Sequence, residues 1–504
     1  MEAAKQRKFG VLLGYVSIAI RNILGLLLIP FIIHYVGVEQ YGVYSLVSSI
    51  ILYLIILEMG LANTAIRFLS KYQATKDISA QSRFIGLMLI IYSGVTIVAM
   101  AVGGVFYFQL PAMFSASFSA NEILLLQQTF LILMVNIAMT LMSNTFTGVI
   151  TAKERFVFEK GSQVILFLLR CAFVVFALWM GGDIIDIVVI DTCINALQLL
   201  MRLYYVFINL KIKISFSSID KTLVKEVFGY TMFIGLNVIV NQINWRVDNF
   251  IIGLMVSSAA VAIYNIGNQL VLSFIAFASA ISNVFTPKIV KMVTLNASAE
   301  DITSELIRIA RMQMIVLGFV LSAFIVFGPL FINLFVGPDF KQAYFVALLP
   351  MFPFIFVLAQ SSTNAVLQAM NKHKVRSLML LATAILNIFI SISLVDQYGL
   401  VGAAFGTMIA LILGELVAVG IYLSRVIGLE MSRFYSQGLG FIVPVMLASI
   451  GFGTYIESEF SRSWFGLSSG VFTMLVVYSL LTFYIACNAA ERHFIKSLIS
   501  REKA

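Results

Sequence analysis

Charge is what this sequence has least of. Only 11% of its 504 residues are Asp, Glu, Lys or Arg, while 61% are hydrophobic. Soluble domains carry about 25% charged and about 45–50% apolar residues, so a string of soluble domains is excluded. Cysteine is nearly absent. Cys171, Cys193 and Cys487 are scattered through apolar runs without a CxxC pair, which excludes a disulfide framework and suggests small buried apolar residues. His34, His373 and His493 lie too far apart for a metal-ligand spacing. No GxxxxGK[ST] loop is present for ATP hydrolysis, and no Ser/His/Asp constellation stands out. The loops expected outside the membrane are short. They leave no room for the acceptor and catalytic groups of a membrane glycosyltransferase, polymerase or ligase. Neither an enzyme nor a cofactor is expected.

What fills the chain is apolar helix. A membrane span needs roughly 20 mostly apolar residues. Fourteen such runs lie near 10–33, 41–66, 84–108, 123–150, 161–180, 184–209, 227–256, 260–286, 309–333, 343–370, 377–395, 399–424, 434–456 and 464–488. They are too long and uniformly apolar for barrel strands, which alternate over about ten residues. The N-terminal Lys5, Arg7 and Lys8 before an apolar stretch imitate a signal peptide. The stretch runs on too long and carries Arg21, so it reads as the first span. The net charge of +9 would point a soluble chain toward nucleic acid. Here all but five of the 33 basic residues fall in one alternating set of loops and termini. The exceptions are Lys341 and Arg462 in the other set, and Arg21, Arg170 and Arg246 within spans. By the positive-inside rule both termini are cytoplasmic, and no nucleic-acid partner is expected.

The chain also resembles itself. Tyr41-Gly42-Val43-Tyr44 opens the second run, and Val261-Ala262-Ile263-Tyr264 opens the eighth. Asn144 with Lys153-Glu154-Arg155 ends the fourth run, and Asn364 with Lys372-His373-Lys374 ends the tenth. Weak internal symmetry of this kind marks transporters built from two bundles. The expected fold is an all-α polytopic membrane protein. Two six-helix bundles, residues 1–212 and 213–430, would be related by a parallel repeat around a central cavity. Two further helices and a cytoplasmic tail occupy 431–504.

Polar groups inside spans are expensive, so they mark function or pairing. Arg21 sits at the middle of the first run, on a face with Gly10, Gly14, Ser17 and Gly25. In the seventh, Asn237, Asn241, Asn244 and Asp248 share one helical face, and Gln242, Arg246 and Asn249 share the next. Asn136, Thr140, Ser143, Asn144 and Thr147 mark the fourth run, and Gln360, Asn364 and Gln368 the tenth. Runs 1, 4, 7 and 10 hold equivalent places in the two halves and would line the cavity. Arg21 and Arg246 are the candidate anion ligands, since guanidinium forks suit phosphate. Asn144, Asn237, Asn241, Asn244 and Asn364 are candidate polar ligands beside them. Glu58 and Asp248 are candidate carboxylates for ion coupling. Arg170 has no polar neighbour on its own face, and Asp183 and Asp186 read as solvated residues near a span end.

Three stretches carry a family resemblance. The first is Ile29-Pro30-Phe31-Ile32-Ile33-His34-Tyr35-Val36-Gly37-Val38-Glu39-Gln40-Tyr41-Gly42-Val43-Tyr44. The second is Leu57-Glu58-Met59-Gly60-Leu61-Ala62 with Arg67. The third is Arg246-Val247-Asp248-Asn249-Phe250-Ile251-Ile252-Gly253 with Val261-Ala262-Ile263-Tyr264. In this order they resemble the polysaccharide-transporter branch of the multidrug/oligosaccharidyl-lipid/polysaccharide (MOP) exporter superfamily, which includes O-antigen flippases. Glu58 stands where that pattern usually has Asp, so the carboxylate is kept. The resemblance implies two six-helix bundles with a central cleft, arginines in the cavity and coupling to a proton or sodium gradient. It implies alternating access for undecaprenyl-pyrophosphate-linked oligosaccharides in a bacterial cell membrane, the inner one if Gram-negative. Polysaccharide polymerase or assembly proteins are the expected protein partners. A multidrug exporter, a peptidoglycan-precursor flippase, and a membrane scaffold or enzyme of polysaccharide assembly are the competing readings.

Overall fold

A backbone in hydrocarbon must satisfy its own hydrogen bonds, and an uninterrupted helix does so within one segment. The computed structural model, which describes residues 2–216, 221–370, 372–489 and 491–492, answers the fourteen apolar runs with fourteen long helical segments. They are α1 Glu2–Val36, α2 Val38–Ala74, α3 Ile78–Phe114, α4 Ala120–Ala152, α5 Phe156–Trp179, α6 Ile184–Asn209 and α7 Lys221–Met255. Next along the chain come α8 Ser258–Thr294, α9 Ala299–Val336, α10 Ala343–Ala369, α11 His373–Tyr398, α12 Leu400–Ile427, α13 Met431–Glu457 and α14 Trp464–Ala486. Among the described residues, thirteen segments are long and apolar enough to cross a membrane. The fourteenth is α7, 35 residues long, much of which lies outside the residues whose side chains are described. Among the described residues there is no strand. The protein is an all-helical, multi-pass membrane protein.

Packing divides the chain into two compact units, Met1–Ala262 and Ile263–Ala504. This boundary differs from the repeat-based one at 212/213, because α7 is fastened to the helices before it. The Asn249 side chain donates to Ser49 Oγ at 2.9 Å, and Ser117 Oγ donates to the Gly253 carbonyl at 2.7 Å. Ser258 at the α7–α8 turn donates to Glu122, whose carboxylate also closes a capping box with Ser119 at the start of α4. A Cβ at Gly42 would overlap the Ser258 carbonyl oxygen, so the motif glycine lets α2 meet this turn backbone to backbone.

In the first unit α4 packs against α2, α3 and α6, while α1 packs along α5. Phe68 and Phe84 stack at 5.2 Å in the resulting core. In the second unit α9 carries α10 on one side and the appended α13 and α14 on another. Val326 and Phe327 of α9 meet Leu467 and Met474 of α14 in a buried cluster. Arg311 closes the opposite end of α9. Its Nε and Nη2 hold Glu491, both at 2.7 Å; Nη2 and Nη1 also donate to the Ala486 and Gln437 carbonyls. Its guanidinium lies 3.7 Å from the Phe441 ring centroid.

Two smaller expectations change. Cys193 is exposed rather than buried, because a helix face turned to lipid is apolar too. Asp183 and Asp186 are not merely solvated: they form a capping box that opens α6.

Candidate functional site

The second sequence motif marks a broken helix. α2 tightens into a 3-10 turn over Ile56–Glu58, then Met59 (φ 49°) and Gly60 (φ 79°) turn left-handed before the helix resumes at Leu61. Glycine takes that conformation without a Cβ penalty, and Met59 is held in it by its surroundings. A Cβ at Gly235 of α7 would come within 2.8 Å of Met59 Cβ, so α7 rests directly on the break. Thr231 of α7 and Thr64 of α2 share a buried hydroxyl contact at 2.9 Å just beyond it.

Glu58 is the last residue before the break, and three donors converge on its carboxylate. Tyr92 OH of α3 donates at 2.9 Å, the Asn144 amide of α4 donates at 3.0 Å, and the Ala62 backbone N–H bonds to it. Discontinuous helices with ionisable groups at the break recur at ion and substrate sites of transporters. The structure thus joins two residues that the sequence reading assigned to separate roles: Asn144 is engaged with Glu58. Tyr92, fully buried, had no signal in the pattern, since one Tyr in an apolar run looks like core.

The third motif places Arg246, Asp248 and Asn249 at the far end of α7. Arg246 is half-buried, and Asp248 is buried at 5% exposure. Both act electrostatically on Tyr53 of α2, one helical turn before the break. The side chains of Asn237, Asn241 and Asn244 lie outside the described residues.

Arg21 differs from Arg170, Arg202 and Arg376, each of which pairs with a carboxylate. It is exposed at the middle of its apolar run, and its guanidinium lies 5.8 Å from the Phe167 ring centroid of α5. No carboxylate pairs with it among the described residues. Arg170 forks onto Asp191 of α6 at 2.5 and 3.0 Å, and Tyr44 OH reaches the same carboxylate at 3.4 Å. Its partner came from the next helix, where a search along its own face could not see it. Arg202 and Arg376, counted from sequence as loop cations, lie within helices and pair with Glu159 and Glu415.

The polar stripes are mostly joints between helices. Asn195 of α6 donates to Asn136 Oδ1 at 2.9 Å and to Thr140 Oγ1 at 2.6 Å, so that part of the α4 stripe ties α4 to α6. Ser143 accepts from Arg202 at 2.7 Å. In the second unit, Gln360 donates to the Glu415 carbonyl and accepts from Tyr435 OH at 2.7 Å. Asn364 comes just after a 3-10 turn at Gln360–Ser362. Its amide oxygen is enclosed without a hydrogen-bond donor among the described residues. No group of three or more His, Cys, Asp or Glu forms a metal site among the described residues.

Comparison with known proteins bears on all of this. A family model described as polysaccharide biosynthesis protein matches residues 8–293, more than half of the chain. A Shigella flexneri protein described as a putative O-antigen transporter is 20% identical over 430 residues, covering 82% of this chain and 96% of that protein. The fold is shared with the lipid II flippase MurJ in an inward closed conformation. That match has TM-score 0.70 and 16% identity, and covers 97% of this chain and 100% of MurJ. It is shared also with an inward-facing multidrug resistance MATE family transporter of the MOP superfamily. There the TM-score is 0.59 at 12% identity, covering 85% of this chain and 99% of that one.

Proposed function

The chain belongs to the polysaccharide biosynthesis protein family, and from that premise we propose that it is a flippase for a polyprenyl-pyrophosphate-linked oligosaccharide. It translocates an O-antigen or similar surface-polysaccharide unit from the cytoplasmic to the outer leaflet of a bacterial inner membrane. The transport is ion-coupled and proceeds by alternating access. The observation that supports this reading best is Arg21. Burying an arginine at mid-span costs about 2.5–3.5 kcal/mol on insertion scales. Among the described residues Arg170, Arg202, Arg311 and Arg376 each pair with a carboxylate, whereas Arg21 pairs with none and has its five donors for an anion from outside the chain. Arg246 supplies a second cation, and a pyrophosphate is dense enough to engage both. A multidrug exporter of cations gains nothing from an open arginine. Glu58 is the coupling carboxylate, because the helix break and its three donors give it a defined site that a change of protonation would rearrange.

Loss of the protein should leave a lipid-linked sugar trapped on the cytoplasmic face, where extraction and sugar analysis identify it. Arg21→Ala and Arg246→Ala should each abolish surface polysaccharide while the protein reaches the membrane at normal levels. Wild-type polysaccharide in both variants would sink the proposal.

A further inference from the structure

α1 and α5 touch at one end and part at the other. At Gly10 they pack so tightly that a Cβ would overlap Phe156. From Leu24 onward a groove of 630 Å³ opens between them, lined by Leu24, Leu28, Phe31, Cys171, Val175 and Trp179 among other apolar side chains. Arg21 stands at the inner end of this groove: Leu24 and Leu28 lie one and two turns beyond it along α1. Phe167, beneath its guanidinium, precedes Cys171 and Val175 at the same spacing on α5. One cation and one apolar trough therefore form a continuous surface shaped for an amphiphile.

The depth identifies the amphiphile. From Arg21 to Phe31 the helix rises about 15 Å, half of a hydrocarbon core about 30 Å thick. A phospholipid resident in either leaflet keeps its phosphate at the interface, a groove's length away from Arg21. Only a lipid whose phosphate has been drawn to mid-depth meets the arginine while its chain fills the groove. We infer that the α1–α5 groove seats the polyprenyl chain of the transported lipid, with the chain-proximal phosphate on Arg21. The seat rests on the flippase reading and adds to it. The chain travels with the protein along α1 and α5, and Arg21 marks the point where chain and head group part company.

The test uses the whole protein in detergent micelles and a polyprenyl phosphate carrying a diazirine on its chain. After irradiation, mass spectrometry should find adducts in 24–31 and 171–179. Excess undecaprenyl phosphate should lower them at least severalfold, as should Arg21→Ala, and phosphatidylglycerol should not. Val175→Trp, which fills the groove from an exposed position, should lower them while melting as the wild type does. Equal competition by phosphatidylglycerol overturns the proposal, since the groove is then an ordinary lipid seat. Adducts elsewhere, with Arg21→Ala cells still lacking surface polysaccharide, overturn the groove and leave the flippase reading standing. No adducts anywhere, together with normal polysaccharide in Arg21→Ala cells, overturn both.

Discussion

The buried pair of Arg202 and Glu159 allows a sharp separation of scaffold from transport machinery. Arg202 is 7% exposed and Glu159 3%. The guanidinium reaches Glu159 through Nε at 3.3 Å and Nη2 at 2.5 Å, and donates to Ser143 through Nη1 at 2.7 Å. Gln163 donates to the same carboxylate at 2.8 Å. Three helices, α4, α5 and α6, meet on this one pair. Arg202→Met leaves a carboxylate with Gln163 alone, and Glu159→Leu leaves a guanidinium with Ser143 alone. Removing one member of a buried pair typically costs about 3–5 kcal/mol. Replacing both with apolar groups of similar volume is typically neutral or stabilising by about 1–4 kcal/mol. The double variant should therefore be far more stable than the sum of the single losses. The measurement is a double-mutant cycle from reversible denaturant unfolding in micelles, with surface polysaccharide scored in the same four strains. If the pair is a brace, the double variant regains both stability and polysaccharide. Additive losses, or single losses under about 1 kcal/mol as at solvated surface pairs, would refute the reasoning. A stable double variant without transport would place the pair in the transport path instead.

Neighbouring features make further expectations testable. Glu58→Gln and Asp248→Asn should change the proton or sodium dependence of transport in vesicles; an unchanged dependence in both removes them as coupling sites. Tyr92→Phe and Asn144→Ala should each shift that dependence in the same direction as one another, since both remove a donor from the Glu58 carboxylate; shifts in opposite directions would separate them from it. Gly42→Val forces side-chain atoms against the Ser258 carbonyl, and should cost about 1–3 kcal/mol of stability in micelles. At the latch between Arg311 and Glu491, burial alone would raise the Glu491 carboxyl. Hydrogen bonds from Arg311 and the Asn488 backbone, with the Arg311 charge, nevertheless hold it below its ordinary 4.5. A depressed folded-state value stabilises above the unfolded value and is lost as pH falls through the folded one. The stability gap between wild type and Glu491→Gln should thus be full at neutral pH and close only as pH drops below that ordinary value.

Most of the fold was legible because hydrocarbon leaves the backbone few choices. Fourteen apolar runs became fourteen helical segments, including α7, the most polar of them. The grouping of helices was less legible. A repeat reads like with like along the chain, and it set α7 with the helices of the second half. Packing is decided by particular contacts, such as Gly42 on Ser258 or Asn249 on Ser49, which join residues some 200 positions apart and leave no periodic trace.

The site shows the same limit at the scale of single side chains. Periodicity finds which residues share a face; it does not find what that face meets. Asn136 and Thr140 looked like cavity lining and are spent on Asn195; Arg170 looked solitary and is held by Asp191. The residues left over gain meaning by this subtraction. Buried polar groups in a membrane are satisfied wherever a partner exists, so each joint identified removes a candidate from the transport path. Arg21 survives because the helix it faces, α5, offers Phe167 and an apolar groove where its counterparts met a carboxylate. Under the proposed function, a cation left beside Phe167 and this groove is the one placed to meet an anionic lipid head group.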